Sequence, residues 1–219
     1  MRKLFGKFDF REVRKFIIIF YIIGIVGFMI PWTFKYFKIL VGPALLLNVF
    51  LLIFYHEPQT IKNYLLFITV IISGFLIEVF GVKTSLIFGN YEYGKVLGPK
   101  LFDTPLLIGF NWLMLTYCCS ILVSNIKLNT ILKALTGAVF MTLYDFIMEP
   151  AAIWLDFWNW KSMTIPIRNY VGWFTVSLIF TVLFLSLAKH TKNKIAPALF
   201  IAQTVFFLFL SLRISLFQT

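Results

Sequence analysis

The run KNYLLFITVIISGFLIEVF, Lys62 to Phe80, decides what kind of protein this is. Past Lys62 it holds a single charged residue, Glu78, and it is about as long as the ~20 apolar residues that cross a bilayer as a helix. Six further runs have the same character, so the reading is seven spans: 16–34, 36–55, 62–80, 105–124, 130–149, 170–188 and 195–217. The boundary between the first two is placed at Lys35 and Lys38. Connections are short for the most part, so neighbouring helices should pack antiparallel. The expected fold is all-α: a polytopic membrane helix bundle in which residues 1–219 form one integral membrane domain. Glycines such as Gly24, Gly27, Gly74, Gly109 and Gly137 allow close helix contact.

Composition agrees. Hydrophobic residues make up 60% and charged residues 13%, against roughly a quarter charged in soluble domains. The net charge of +11 does not point to nucleic acid, because the basic residues sit between apolar runs rather than along one face. They read as topology signals and headgroup anchors. The N-terminal segment 1–15 and the connections on its side hold twelve Lys and Arg, against eight on the other side. Cytoplasmic sides carry the excess, so the expectation is a multi-pass protein of the inner (cytoplasmic) membrane with its N-terminus in the cytoplasm. Cys118 and Cys119 are adjacent within an apolar run, and neither a disulfide nor metal-binding spacing follows from them.

Several classes drop out. The two histidines, His56 and His190, are too few for a histidine-box hydroxylase and make a bis-histidine haem protein untenable. The last span lacks a lysine for a retinal Schiff base. No glycine-rich nucleotide loop is present.

Three carboxylates remain to be explained. Asp145 and Glu149, four apart in "YDFIMEP" (Tyr144 to Pro150), share one helix face. Pro150 is expected to stop that helix, and Glu78 ends the third span on the same side. Ionisable groups inside a membrane mark function by default. Carboxyls held near one another away from water cannot all ionise cheaply, so one can keep a proton and act as an acid. A plainer reading pairs Glu78 and Glu149 with Lys83 and Lys161 at the interface. The two longer connections, 81–104 and 150–169, fall on the same side and carry Tyr91, Tyr93 and the aromatic stretch "WLDFWNW", Trp154 to Trp160. An interfacial aromatic belt accounts for such residues, and so does a wall that stabilises a cation.

Three segments together carry a resemblance: "EVFGVKTSLIFGNYEYGKVLGPKLFDTPLLIGFNW" (Glu78 to Trp112), "YDFIMEPAAIWLDFWNW" (Tyr144 to Trp160) and "IPIRNYVGW" (Ile165 to Trp173). They resemble the bacterial and archaeal carotenoid biosynthesis protein family, which includes carotenoid 1,2-hydratases and bisanhydrobacterioruberin hydratase. The likeness covers the central half of the chain; the N-terminal spans and the last one match in hydrophobicity alone. The family carries glycine where Ser85 stands, and often where Thr164 stands.

The resemblance implies a cofactor-independent hydro-lyase with no metal. Its substrate would be a membrane-embedded carotenoid such as lycopene, γ-carotene or a C50 analogue, with other carotenoid-pathway enzymes as candidate partners. Protonation of the terminal 1,2 double bond gives a tertiary cation that water captures. That chemistry needs a proton donor, a proton acceptor and restricted water. Catalytic candidates are Glu78, Asp145 and Glu149, with Asp145 or Glu78 as acid and Glu149 as base. Substrate-binding candidates are Tyr91, Tyr93, Asp103, Trp112, Trp158, Asn169 and Trp173. Two alternatives stand beside hydration: a lycopene-type cyclase using the same acid, and a non-enzymatic transporter or lipid-binding membrane protein.

Overall fold

The computed structural model describes residues 9–162, 164–188 and 191–217. Residues 1–8 of the basic N-terminal segment, with Lys189 and His190, lie outside that set. Seven helices form the bundle: α1 (Phe10–Met29), α2 (Pro31–Phe54), α3 (Ile61–Thr84), α4 (Leu107–Ser124), α5 (Thr130–Trp154), α6 (Ile167–Leu187) and α7 (Ala196–Phe217). All but α1 are long and apolar enough to cross a membrane. Helix α1 begins with Arg11, Glu12, Arg14 and Lys15, which leaves its apolar part short. The first boundary falls earlier than expected, at Ile30, because Pro31 takes the first helical position of α2. There its missing N–H costs nothing and its fixed φ suits a helix start.

Helix α4 is the axis of the bundle. It packs against α2, α3, α5, α6 and α7, and nearly every residue from Trp112 to Val123 is buried. The outer helices instead present apolar faces outward, for example Ile68, Ile72 and Leu76 on α3.

Pro150 does not end its helix. Helix α5 runs on to Trp154, and Ser211 of α7 bridges the turn around Pro150. The Ser211 hydroxyl donates to Ile147 O at 2.7 Å and accepts from Ala151 N at 3.3 Å, bridging two backbone groups on either side of Pro150. Within membranes, neighbouring Ser and Thr side chains commonly satisfy backbone groups freed by proline.

The chain crosses between two ends. At the proximal end, where α1 starts, the α2–α3 and α6–α7 connections meet through paired backbone bonds between Glu57 and Lys192. At the distal end the two long connections form a small sheet. Strand β1 (Tyr91–Tyr93) pairs antiparallel with β4 (Trp158–Trp160), in register Tyr91↔Trp160, Glu92↔Asn159 and Tyr93↔Trp158. Two shorter strands, β2 (Lys100–Leu101) and β3 (Thr104–Pro105), pair beside it. Successive strand residues face opposite sides, so Tyr91, Tyr93, Trp158 and Trp160 are buried while Glu92 and Asn159 face out. Ser85, which closes α3, sits in the left-handed region at φ 57°. Glycine adopts that conformation most readily, so Ser85 holds a backbone geometry that a side chain disfavours.

Candidate active site

The cap formed by β1 and β4 covers the distal ends of α3 and α5, where all three carboxylates lie. Glu78 is 3% exposed and accepts three hydrogen bonds. Tyr91 and Tyr93 donate their hydroxyls to its Oε2 at 2.5 and 2.8 Å, and Trp112 Nε1 donates to Oε1 at 2.9 Å. Trp112 gets that close because Gly74, one turn earlier on α3, has no side chain: a Cβ there would stand 2.7 Å from Trp112 Cβ. Burial, reinforced by the charge of Glu78, pushes the phenols of Tyr91 and Tyr93 well above their ordinary range. Both remain donors at any working pH.

Glu149 is held from the other strand. Trp158 and Trp160 donate their indole N–H groups to Oε2 at 3.0 and 3.1 Å. Asn169, in the first turn of α6, joins the remaining carboxylate. Its Nδ2 donates to Asp145 Oδ2 at 2.7 Å and to Glu149 Oε1 at 3.3 Å. Asp145 is fully buried, and its Oδ1 has no partner among the described residues. The interface pairing fails for these groups: Lys83 is taken by Asp103, and Glu149 accepts from Trp158, Trp160 and Asn169 in place of Lys161.

Glu78 and Glu149 line one small cavity of about 20 Å³, together with Phe88, Tyr91, Tyr93, Ile108, Trp158, Trp160, Asn169 and Trp173. A water needs about 10–15 Å³ of such space, so the chamber has room for one. Asp145 does not line it. Trp112 stands behind the wall, stacked on Trp173 with ring centroids 4.5 Å apart.

A second, larger cavity of about 240 Å³ lies alongside. Its lining is overwhelmingly apolar, and it shares Ile108 and Trp158 with the small chamber. It also reaches Ile23 of α1 and Leu40 of α2, which are 55% and 51% exposed on the outside of the bundle. The void is therefore open toward the surroundings between α1 and α2, and it ends against the chamber that holds the carboxylates.

Of the residues expected at the site, Glu78, Asp145, Glu149, Tyr91, Tyr93, Trp112, Trp158, Asn169 and Trp173 come together. Asp103 does not: it is exposed, and Lys83, by hydrogen bond and charge, holds its carboxyl below the usual range. Trp160 was missed, although the alternation in Trp-Asn-Trp puts it on the same side as Trp158. Phe88, Ile108 and the large cavity carried no signal in the sequence. Among the described residues no three His, Cys, Asp or Glu side chains converge as metal ligands.

This architecture can be set beside known proteins. The model of a family described as carotenoid biosynthesis protein matches residues 37–219. The chain belongs to that family. The match takes in α7 and most of α2, so the family likeness extends well beyond the three central segments. The chain is also 28% identical over 121 residues to a bisanhydrobacterioruberin hydratase of Haloarcula japonica. The aligned part is 49% of this chain and 40% of that relative, so less than half of the longer protein is represented. No solved structure matches. Family membership and six long apolar helices make this a multi-pass membrane protein of the carotenoid biosynthesis family.

Proposed function

We propose that this protein hydrates an acyclic carotenoid end group at its terminal 1,2 double bond. The observation that carries the reading is the pair of adjoining cavities: an apolar void open toward the lipid side, ending at a one-water chamber walled by two carboxylates. The void is smaller than the ~300–1,000 Å³ sites that enclose whole ligands. It therefore suits one end of a polyene, the remainder lying between α1 and α2 in the bilayer.

Roles follow from the hydrogen bonds. Asp145 and Glu149 are bridged by the Asn169 amide and share one proton, as closely held carboxyls do. Glu149 faces the chamber and delivers that proton to C2 of the alkene. The cation at C1 is then met by the face of Trp158, the ring that lines both cavities. The water in the chamber adds to C1 and gives its proton to Glu78, whose three donors suit it to begin as the anion. Net addition is one water once the proton on Glu78 passes back across the shared chamber to Glu149 by way of the next water, and Asp145 acts through Asn169 rather than on the substrate. Room for a single water favours capture by water over cyclisation, in which a second alkene must fold back onto the cation. A cytoplasmic N-terminus would put this chamber at the opposite membrane face.

Expression in bacterial hosts accumulating lycopene, γ-carotene or a C50 acyclic carotenoid tests the proposal, with pigments analysed by chromatography and mass spectrometry. The expected product is heavier by one water with its long chromophore unchanged. An isomer of unchanged mass, or no change in any of the three hosts, would overturn it.

A further inference from the structure

Serine and threonine hydroxyls inside a helix have a partner at hand, the carbonyl one turn back. Thr69 on α3, Thr136 and Thr142 on α5, Thr175 on α6 and Thr204 on α7 all take it, at 2.8–2.9 Å. Four hydroxyls do not. Thr116 and Ser120 of α4 and Ser177 and Thr181 of α6 are at most 1% exposed, and their Oγ atoms have no partner among the described residues.

The four share one seam. Helices α4 and α6 both run from the distal to the proximal end, and Trp112 stacks on Trp173. One turn further on, Thr116 comes level with Ser177, and one turn beyond that Ser120 comes level with Thr181. Helix α5 closes the seam, running the other way. Asn169 of α6 meets Asp145 and Glu149, and Thr181 packs on Gly137, where a Cβ would stand 3.4 Å from its Oγ1. The column therefore leads away from Asp145, whose Oδ1 is unpartnered as well. From Asp145 to Gly137 is about two turns of α5, roughly 12 Å. One turn past Gly137, Lys133 Nζ donates to Ser124 O at 2.6 Å, and both residues are half-buried at the proximal end.

An unpaired hydroxyl is costly in a membrane interior, and buried polar groups that protein atoms leave unpaired commonly bond ordered water. A hydroxyl is donor and acceptor at once. A file of them with water between can hand a proton along, each oxygen accepting one and releasing its own on the far side. Resting on the reading that Asp145 and Glu149 share a proton, we infer that Thr116, Ser120, Ser177 and Thr181 form a proton path between the proximal membrane face and Asp145. A proton taken up beside Ser124 ends on Asp145 Oδ1, and the reverse course releases it. The acid pair is thereby loaded from the face opposite the cap. None of the four touches substrate; they act through Asp145.

The test reads the proton itself. The purified full-length protein in lipid nanodiscs is mixed rapidly from H2O into D2O, and the carbonyl band of the protonated carboxyl is followed by infrared spectroscopy. Loss of the band in Asp145→Asn assigns it. Two double variants interrupt the path at different depths, Thr116→Val with Ser177→Ala and Ser120→Ala with Thr181→Val. Exchange should slow at least about tenfold in each, the rate worth of one lost hydrogen bond, while Thr175→Val, whose hydroxyl is spent on Val171 O, stays within about twofold of wild type. A packing defect has the opposite sign, since looser helices exchange faster. Exchange at the wild-type rate or faster in both double variants, or equal slowing in Thr175→Val, would overturn the path and leave the acid pair standing. If Asp145→Asn removes no carboxyl band, the shared proton falls, and the path with it.

Discussion

Two buried polar clusters stand at opposite ends of the bundle, and they differ in what their hydrogen bonds leave over. At the proximal end His56, fully buried just past α2, contacts Asn63 through Nε2 at 2.8 Å and Tyr117 through Nδ1 at 2.9 Å. Asn63 also donates to Pro58 O at 2.8 Å, which fixes the orientation of its amide. Its Nδ2 is therefore a donor to Nε2, and the imidazole proton is on Nδ1, given to the Tyr117 hydroxyl. Asn193 donates to that hydroxyl at 3.0 Å, while its own oxygen accepts from the backbone N–H groups of Ile195 and Ala196 that open α7. This cluster ties α3, α4 and two connections together and borders neither cavity. At the distal end the same kinds of contact hold carboxylates against a void. A polar cluster enclosed by packed side chains stabilises; a cluster left facing a cavity is free to do chemistry.

The largest effect expected is at the distal end. Glu149→Gln cannot deliver a proton and Glu78→Gln cannot receive one, so each should lower hydration at least about 10³-fold, within the range of a lost acid or base. Both proteins should still insert and run as folded monodisperse species. Retention of more than a tenth of the wild-type rate in either would remove that residue from the mechanism. Asn169→Leu sharpens the assignment, since it cuts Asp145 from Glu149 without touching a carboxyl.

The proximal cluster should respond in stability alone. Tyr117→Phe strands the His56 Nδ1–H and one Asn193 donor, at a cost of about 2–3 kcal/mol, with the rate per folded molecule within twofold of wild type. Its pH signature has a definite sign. Burial lowers the His56 pKa from 6.5 to about 4. The unfolded chain therefore takes up a proton between those values and the folded one does not. The contribution of His56 is complete above pH 6.5 and is lost as the pH falls toward 4, roughly 3 kcal/mol in all. Unfolding measured across pH 4–7 in wild type and in His56→Gln checks this. A slope equally steep in the variant would move the effect elsewhere.

The same contrast explains what the sequence could disclose. Glu78, Asp145 and Glu149 stand out because charge inside an apolar run has few benign explanations. Tyr91, Tyr93 and Trp158 were found as aromatics near those acids. What pairs them is a ladder of three residues on each strand, joining segments nearly seventy positions apart. Strands that short carry almost no local signal, and Trp160 was lost with the ladder. Asp103 misled because a loop position does not say which way a side chain turns; its backbone is left-handed, at φ 64°, and its carboxylate meets Lys83 on the surface. His56 was legible as a residue of a connection, but its full burial depends on α3, α4 and the α6–α7 connection closing around it. The cavities are a property of packing between helices, which periodicity does not specify.

The smallest effect expected concerns how the distal cluster is carried. Glu149 sits immediately before Pro150, in the turn that Ser211 bridges. Ser211→Ala removes the hydroxyl that bridges Ile147 O and Ala151 N, and comparable hydrogen bonds in membrane proteins are worth about 1 kcal/mol or less. Unfolding in detergent should register a loss of that size. The assignment can be isolated by a double-mutant cycle, because Pro150→Ala removes the ring that crowds the preceding turn and restores an N–H for Phe146 O, so the turn no longer needs support from α7. In the Pro150→Ala background, Ser211→Ala should then cost close to nothing. An equal cost in both backgrounds would mean that Ser211 acts by packing α7 on α5, not by repairing the backbone that holds Glu149.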